Sequence, residues 1–180
     1  MSERIRSYLP YSGLIVLMLL LWLLKRTEWD GVVLLLREVL LIFGFEAALS
    51  DLREKRVPNR LVFAMLCAWL LIIFPQLFLQ TERTLYLLLL GGIGSLVSGG
   101  LFLLVYCISR KGLGGGDVKL MTAAGLYLGF NGAMSAMLYG SILAAVVGGV
   151  LILFKKLGPK DTIPLVPFLY AGMVLAIFIQ

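Results

Sequence analysis

Residues 110–121 read RKGLGGGDVKLM. Two basic residues and a run of glycines lead into one acid, Asp117, with strongly apolar sequence on both sides. The fold turns on what lies around this stretch. A chain of 180 residues that is 61% hydrophobic, with a mean hydropathy of +1.00, carries more apolar surface than one small water-soluble core can hide. Its apolar runs reach membrane-spanning length. The fold class is therefore all-α, a polytopic membrane helical bundle, and residues 110–117 are a polar turn between two of its helices.

Working outward, the apolar runs fall at about 11–24, 32–50, 60–79, 85–108, 118–130, 133–154 and 163–179, giving about seven transmembrane helices. Arg4 and Arg6 precede the first run as in a signal peptide, but LWLLKRTEWD follows with no small-residue cleavage site, so it reads as a retained anchor. Residues 1–31 form an additional N-terminal helix and loop, and 32–180 form the core. The net charge of +6 does not point to nucleic acid, because the basic residues sit in short turns between apolar runs. Cys67 and Cys107 lie inside apolar runs without CxxC spacing and there is no histidine, so neither a metal site nor a cofactor is called for.

The basic residues set an orientation. With the N-terminus inside, the inner group is Arg4, Arg6, Arg53, Lys55, Arg56, Arg60, Arg110, Lys111, Lys119, Lys155, Lys156 and Lys160, while only Lys25, Arg26 and Arg83 lie outside. Arg37, within the second run, is placed near the outer end, where a long side chain reaches the interface. The turns SDLREKRVPNR and RKGLGGGDVK then both face the cytoplasm. Run 118–130 is short, roughly 20 Å at 1.5 Å per residue against about 30 Å of hydrocarbon. Making it re-entrant would put KKLGPK outside against the charge bias, so a short span in locally thinned bilayer is preferred. Small residues at every fourth position, Gly91/Ser95/Gly99, Gly125/Gly129 and Gly140/Ala144/Gly148, mark close helix packing within the bundle. Pro58, Pro75, Pro159, Pro164 and Pro167 mark span ends or kinks.

Few acids remain for chemistry. Glu3, Glu28, Asp30, Glu54, Glu82 and Asp161 fall in loops or tails and read as solvated charge; Glu38 follows Arg37 without facing it. Glu46 lies deeper in the second run and is a functional candidate on that ground. Asp51 ends the second run and Asp117 opens the fifth, which puts two carboxyl groups at one boundary although 66 positions separate them. Paired carboxyl groups hold one proton between them, so that one activates water while the other protonates a carbonyl or leaving nitrogen. The glycines before Asp117 permit unusual backbone angles and close approach of a peptide. A phosphate-cradling role is disfavoured, since GxxxxGK[ST] is missing. Helix ends suggest an asymmetry: Asp117 at a helix N-terminus would start as the base, and Asp51 at a helix C-terminus as the acid.

Taken together, SDLREKRVPNRL, GLGGGDVKLMTAAGLYLG and IPLVPFLYAG resemble the type IV prepilin peptidases, membrane aspartyl proteases with a GxGD motif. The likeness spans residues 32 to 179. It implies that Asp51 and Asp117 are catalytic, with Pro58 and Asn59 in the Val-Pro-Asn turn, Gly114 and Gly116 as the motif glycines, and Lys119 in the usual following position. It implies hydrolysis of a prepilin or pilin-like precursor after a leader glycine, with the lipid bilayer as surroundings. Two departures stand out: Pro164-Leu165-Val166-Pro167 replaces the family's Pro-Phe-Gly-Pro, and the paired CxxC region of larger relatives, associated with methylation, is not in this chain. Two other readings stay open. A presenilin-type intramembrane protease would share GxGD, though the Val-Pro-Asn turn and short loops argue against it. A non-catalytic transporter or assembly subunit would also account for glycine-rich helices and intramembrane acids.

Overall fold

A computed structural model describes residues 2–109, 113–155 and 163–180, with side chains from residue 11 onward. The side chains of Glu3, Arg4 and Arg6, and residues Arg110, Lys111, Lys156, Pro159, Lys160 and Asp161, lie outside the described residues. Six helices follow one another: α1 (Ser2–Lys25), α2 (Gly31–Glu54), α3 (Asn59–Leu79), α4 (Thr81–Ser109), α5 (Gly115–Leu153) and α6 (Val166–Ile179). No strand occurs among the described residues. Of these, α3, α4 and α5 are each long and apolar enough to cross a membrane. Their flanks carry exposed Leu, Ile, Val and Phe, such as Leu71, Phe78, Leu96 and Leu153, which only hydrocarbon surroundings tolerate in such number. The chain is a multi-pass membrane protein built as a helical bundle.

Local signals explain the boundaries. The Asp30 carboxylate accepts the Val32 N–H and starts α2, whose end is closed by Lys55 in the left-handed conformation. Pro58 holds the extended conformation that precedes α3. Pro167 occupies the first turn of α6, where a missing N–H costs nothing.

The fifth and sixth apolar runs, expected as separate helices, form one helical stretch, α5, interrupted at Gly129 (φ 68°, ψ −177°). Neighbours along the stretch show that its direction reverses there. Residues 117 to 128 run from the Asp51 end of α2 towards Arg37, antiparallel to α2. Gly132 then lies beside Gln180, Gly140 beside Leu169 and Gly148 beside Ile163, antiparallel to α6. α5 is therefore two arms, and the first, Gly115 to Leu128, spans roughly 21 Å at 1.5 Å per residue. Gly129 is the one described glycine with positive φ, and it supplies the backbone that the reversal needs.

Ending a helix inside an apolar bundle exposes its last carbonyls, and each unsatisfied one costs several kcal/mol, an order-of-magnitude figure for hydrocarbon surroundings. Side chains from two other helices take them up. Trp69 Nε1 on α3 donates to the Leu126 carbonyl (3.2 Å), while Arg37 on α2 donates through one terminal nitrogen to Tyr127 (2.9 Å) and through the other to Leu128 (3.1 Å). The Tyr127 hydroxyl returns a bond to the Met65 carbonyl (2.5 Å). Arg37, read from sequence as reaching for the interface, instead turns inward and is 9% exposed. Helix carbonyls offered a charged donor a better partner than distant water.

The glycines of the stripes pack closely as expected, except Gly129, which reverses the chain instead. Gly91, Gly94 and Gly99 of α4 lie directly against Leu126, Gly125 and Thr122 of α5's first arm, and Gly140 and Gly172 bring its second arm against α6. Gly94 and Ser98, not singled out in the sequence stripe, are also buried there; the Ser98 hydroxyl lies 2.7 Å from the Gly94 carbonyl and 2.9 Å from that of Met121.

Candidate active site

Three helix ends converge opposite the Gly129 break. The α2 C-terminus brings Asp51, the α5 N-terminus brings Asp117, and the α6 N-terminus brings Val166. Asp51 and Asp117 are 6% and 8% exposed, and both line a cavity of about 230 Å³ together with Val57, Leu113, Gly114, Gly116, Ile163, Pro164 and Leu165. A larger cavity of about 540 Å³ adjoins it, sharing Lys55, Arg56, Val57, Gly114 and Gly116 and adding Glu54, Pro58, Asn59, Gly115 and Lys119. The two aspartates expected to meet are thus brought together, with a path outward between the Val-Pro-Asn turn and the glycine run.

Each carboxylate is held by a backbone amide. Asp117 Oδ2 accepts the Gly114 N–H (3.0 Å) while the Asp117 N–H donates to the Gly114 carbonyl (3.1 Å), closing the first turn of α5 on itself. Asp51 Oδ2 accepts the Val166 N–H (3.1 Å). The second bond corrects the expectation drawn from helix ends. Asp51 does sit in the last turn of α2, but its carboxylate faces the N-terminus of α6, where unpaired amides and the positive dipole end favour charge. Both aspartates therefore rest at helix N-termini, and the dipole argument for making Asp117 the base and Asp51 the acid falls away. Val166 occupies the glycine position of the family's Pro-Phe-Gly-Pro, and it serves Asp51 through its backbone, which a valine supplies as well as a glycine does.

The remaining candidates divide. Lys119 Nζ donates to Asn59 Oδ1 (3.0 Å), linking the start of α5 to the start of α3 at the rim of the larger cavity. Pro58 caps α3 beside them, and the Ser50 hydroxyl ties the same turn by donating to the Arg56 carbonyl (2.9 Å). Gly114 is extended (φ −81°) and needs no glycine-only angle. Space matters instead: a Cβ on Gly116 would lie 3.0 Å from Val57 Cβ, so glycine there lets α5 start directly against the Val-Pro-Asn turn. Glu46 does not join the group; it is half-buried on α2 and lines neither cavity, because five positions along a helix turn it well away from the Asp51 face.

The arrangement offers two acids, no hydroxyl nucleophile among the residues lining the smaller cavity, and three cations, Lys55, Arg56 and Lys119, around the mouth. Such a pair suits water activation by one carboxylate and proton donation by the other.

A family model described as the type IV leader peptidase family matches residues 38–149, which include both aspartates. Among curated proteins, the chain is 30% identical to a prepilin leader peptidase/N-methyltransferase of Bacillus subtilis (strain 168), over 72% of this chain and 49% of the relative. It is 30% identical to the protein of that name from Stutzerimonas stutzeri, over 76% of this chain and 47% of the relative. The protein so named from Xanthomonas campestris pv. campestris is 28% identical, over 69% and 43%. The chain spans about half the length of these relatives. No solved structure matches it.

Proposed function

The chain belongs to the type IV leader peptidase family, and from that premise we propose that it is a membrane aspartic endopeptidase that removes the basic leader from type IV pilin-like precursors at the cytoplasmic membrane face. The observation that carries the reading is the shared cavity: Asp51 and Asp117, from different helices, open onto one small space that communicates with a larger one. In the proposed reaction the ionised aspartate takes a proton from water, the hydroxyl attacks the scissile carbonyl carbon, and the protonated aspartate supplies the proton that the departing amine nitrogen needs. The Val166 and Gly114 amides hold the two carboxylates in place without consuming their second oxygens.

The orientation rests on the lysine and arginine distribution, which assigns the aspartate end of the bundle to the cytoplasm and the cytoplasmic membrane as its location. The short first arm of α5 and the 14-residue α6 each cover roughly 21 Å, less than about 30 Å of hydrocarbon, so water and a precursor's polar leader approach the dyad where the wall is thin. Incubating the purified protein with a panel of prepilins and sequencing the product N-terminus tests the reading. A cut immediately before the pilin's hydrophobic segment is the expected result; intact precursors throughout the panel would refute it.

A further inference from the structure

Arg37 takes no part in the chemistry proposed above, yet it is a buried charge that makes two hydrogen bonds across the bundle. Its guanidinium is buried, its two terminal nitrogens hold the Tyr127 and Leu128 carbonyls, and the Trp29 ring lies 5.8 Å away. Its Nε has no partner among the described residues, and an 80 Å³ cavity lined by Arg37, Trp69, Tyr127, Leu128 and Gly129 adjoins it. Among the described residues its hydrogen bonds are therefore made through the fork alone.

Its place on α2 gives that anchor a reach. Arg37 and Asp51 are 14 positions apart, close to four full turns, so both leave α2 on the side facing α5, separated by roughly 21 Å along the axis. Asp117 and Tyr127 are 10 positions apart on the first arm of α5, roughly 15 Å. Among the described residues, the two guanidinium bonds are the only hydrogen bonds between the helix that bears Asp51 and the arm that bears Asp117. An antiparallel pair of rods pinned at one end has its axial register set at the other.

We propose that Arg37 is a positioning residue for the peptidase site: its fork fixes the register of α2 against the first arm of α5, and so the separation of Asp51 from Asp117 at the opposite end of the bundle. This rests on the peptidase reading given above. Lysine keeps the charge, but its three donors share one nitrogen on a flexible stem and lack the planar fork that fixes two successive carbonyls in one geometry. Misplacing reacting groups by about 1 Å costs up to ~10²-fold in rate.

The test compares Arg37→Lys and Arg37→Gln with Trp69→Phe, which removes the donor to the neighbouring Leu126 carbonyl from a helix that bears neither aspartate. Arg37→Lys is expected to lower kcat about 10- to 100-fold with KM within about twofold of the parent, while Trp69→Phe keeps kcat within about twofold. A structural arm needs no substrate. Spin labels at Leu52→Cys and Gly115→Cys, with Cys67 and Cys107 replaced by serine, should give one narrow distance distribution that shifts or broadens when Arg37 is changed. Undiminished kcat together with an unmoved distance in Arg37→Lys and Arg37→Gln would overturn the proposal. So would an equal loss of kcat in Trp69→Phe, which would assign the effect to capping of the helix end. Should the parent cleave no prepilin, the peptidase reading falls, and the spin-label distances alone still decide whether Arg37 sets the register.

Discussion

Replacing Asp51 separates its chemical part from its structural part. Asp51→Asn retains a side-chain oxygen able to accept the Val166 N–H now held at 3.1 Å, whereas Asp51→Ala leaves the N-terminus of α6 uncapped by any side chain. Losing a helix cap costs about 0.5–2 kcal/mol, typically ~1. For a chain of this length, that corresponds to about 2–4 °C of unfolding temperature for each kcal/mol. Asp51→Asn should therefore unfold within about a degree of the parent, and Asp51→Ala several degrees lower. Cleavage is a different matter, because either change removes an ionisable member of the dyad and general acid–base catalysis contributes about 10²–10⁴-fold. Both variants should cleave at least a hundredfold more slowly, at matched protein levels, with precursor cleavage followed by gel shift and stability by thermal unfolding in detergent. Normal cleavage by Asp51→Asn would refute the dyad. Equal destabilisation by the two substitutions would refute the capping of α6 by this carboxylate.

Asp117→Asn should likewise keep its bond from the Gly114 amide and its fold while losing cleavage, since a competent acceptor remains in place of the carboxylate; retained cleavage counts against it. Gly94→Ala would put a methyl carbon 2.5 Å from the Gly129 carbonyl carbon and 2.6 Å from the Gly125 oxygen, so α4 and α5 must separate, at a cost of about 1–3 kcal/mol, whereas Gly100→Ala meets open space inside α4 and should hold or slightly raise the unfolding temperature. Strong chelators should leave cleavage intact, because the reaction proposed uses carboxylates and water alone; inhibition reversed by added zinc would count against that. In intact cells, cysteines introduced for Lys55 should be shielded from an impermeant reagent, and those for Trp29 and Glu82 labelled; labelling at 55 from outside would invert the bundle.

The meeting of the two aspartates, the Val-Pro-Asn turn and the proline pair was legible because each is a distinctive residue type at a helix end. The clamp around the Gly129 break was not. Its acceptors are the backbone carbonyls of Leu126, Tyr127 and Leu128, which every residue possesses, so no spacing announces them. For the same reason Gly129 reads as one more small residue in a packing stripe, and only its positive φ reveals the reversal. The helix-dipole argument at Asp51 failed through a tertiary contact. The end of α2 is visible in sequence, but the amide that meets its carboxylate lies 115 positions away. Glu46 looked functional from depth alone, and its position on the helix turns it from the cavity.

The turn at Gly129 also bears on how the chain enters the bilayer during synthesis. Gly129, Phe130 and Asn131 carry no charge, so the machinery that sorts flanking lysines and arginines has nothing to read between the two arms. The first arm is too short to be a strong insertion signal, whereas the second is long and apolar. The two arms therefore read as one insertion unit, a helical hairpin. α2 and α3 precede the first arm in the chain, so Arg37 and Trp69 are synthesised before the Leu126, Tyr127 and Leu128 carbonyls that they hold.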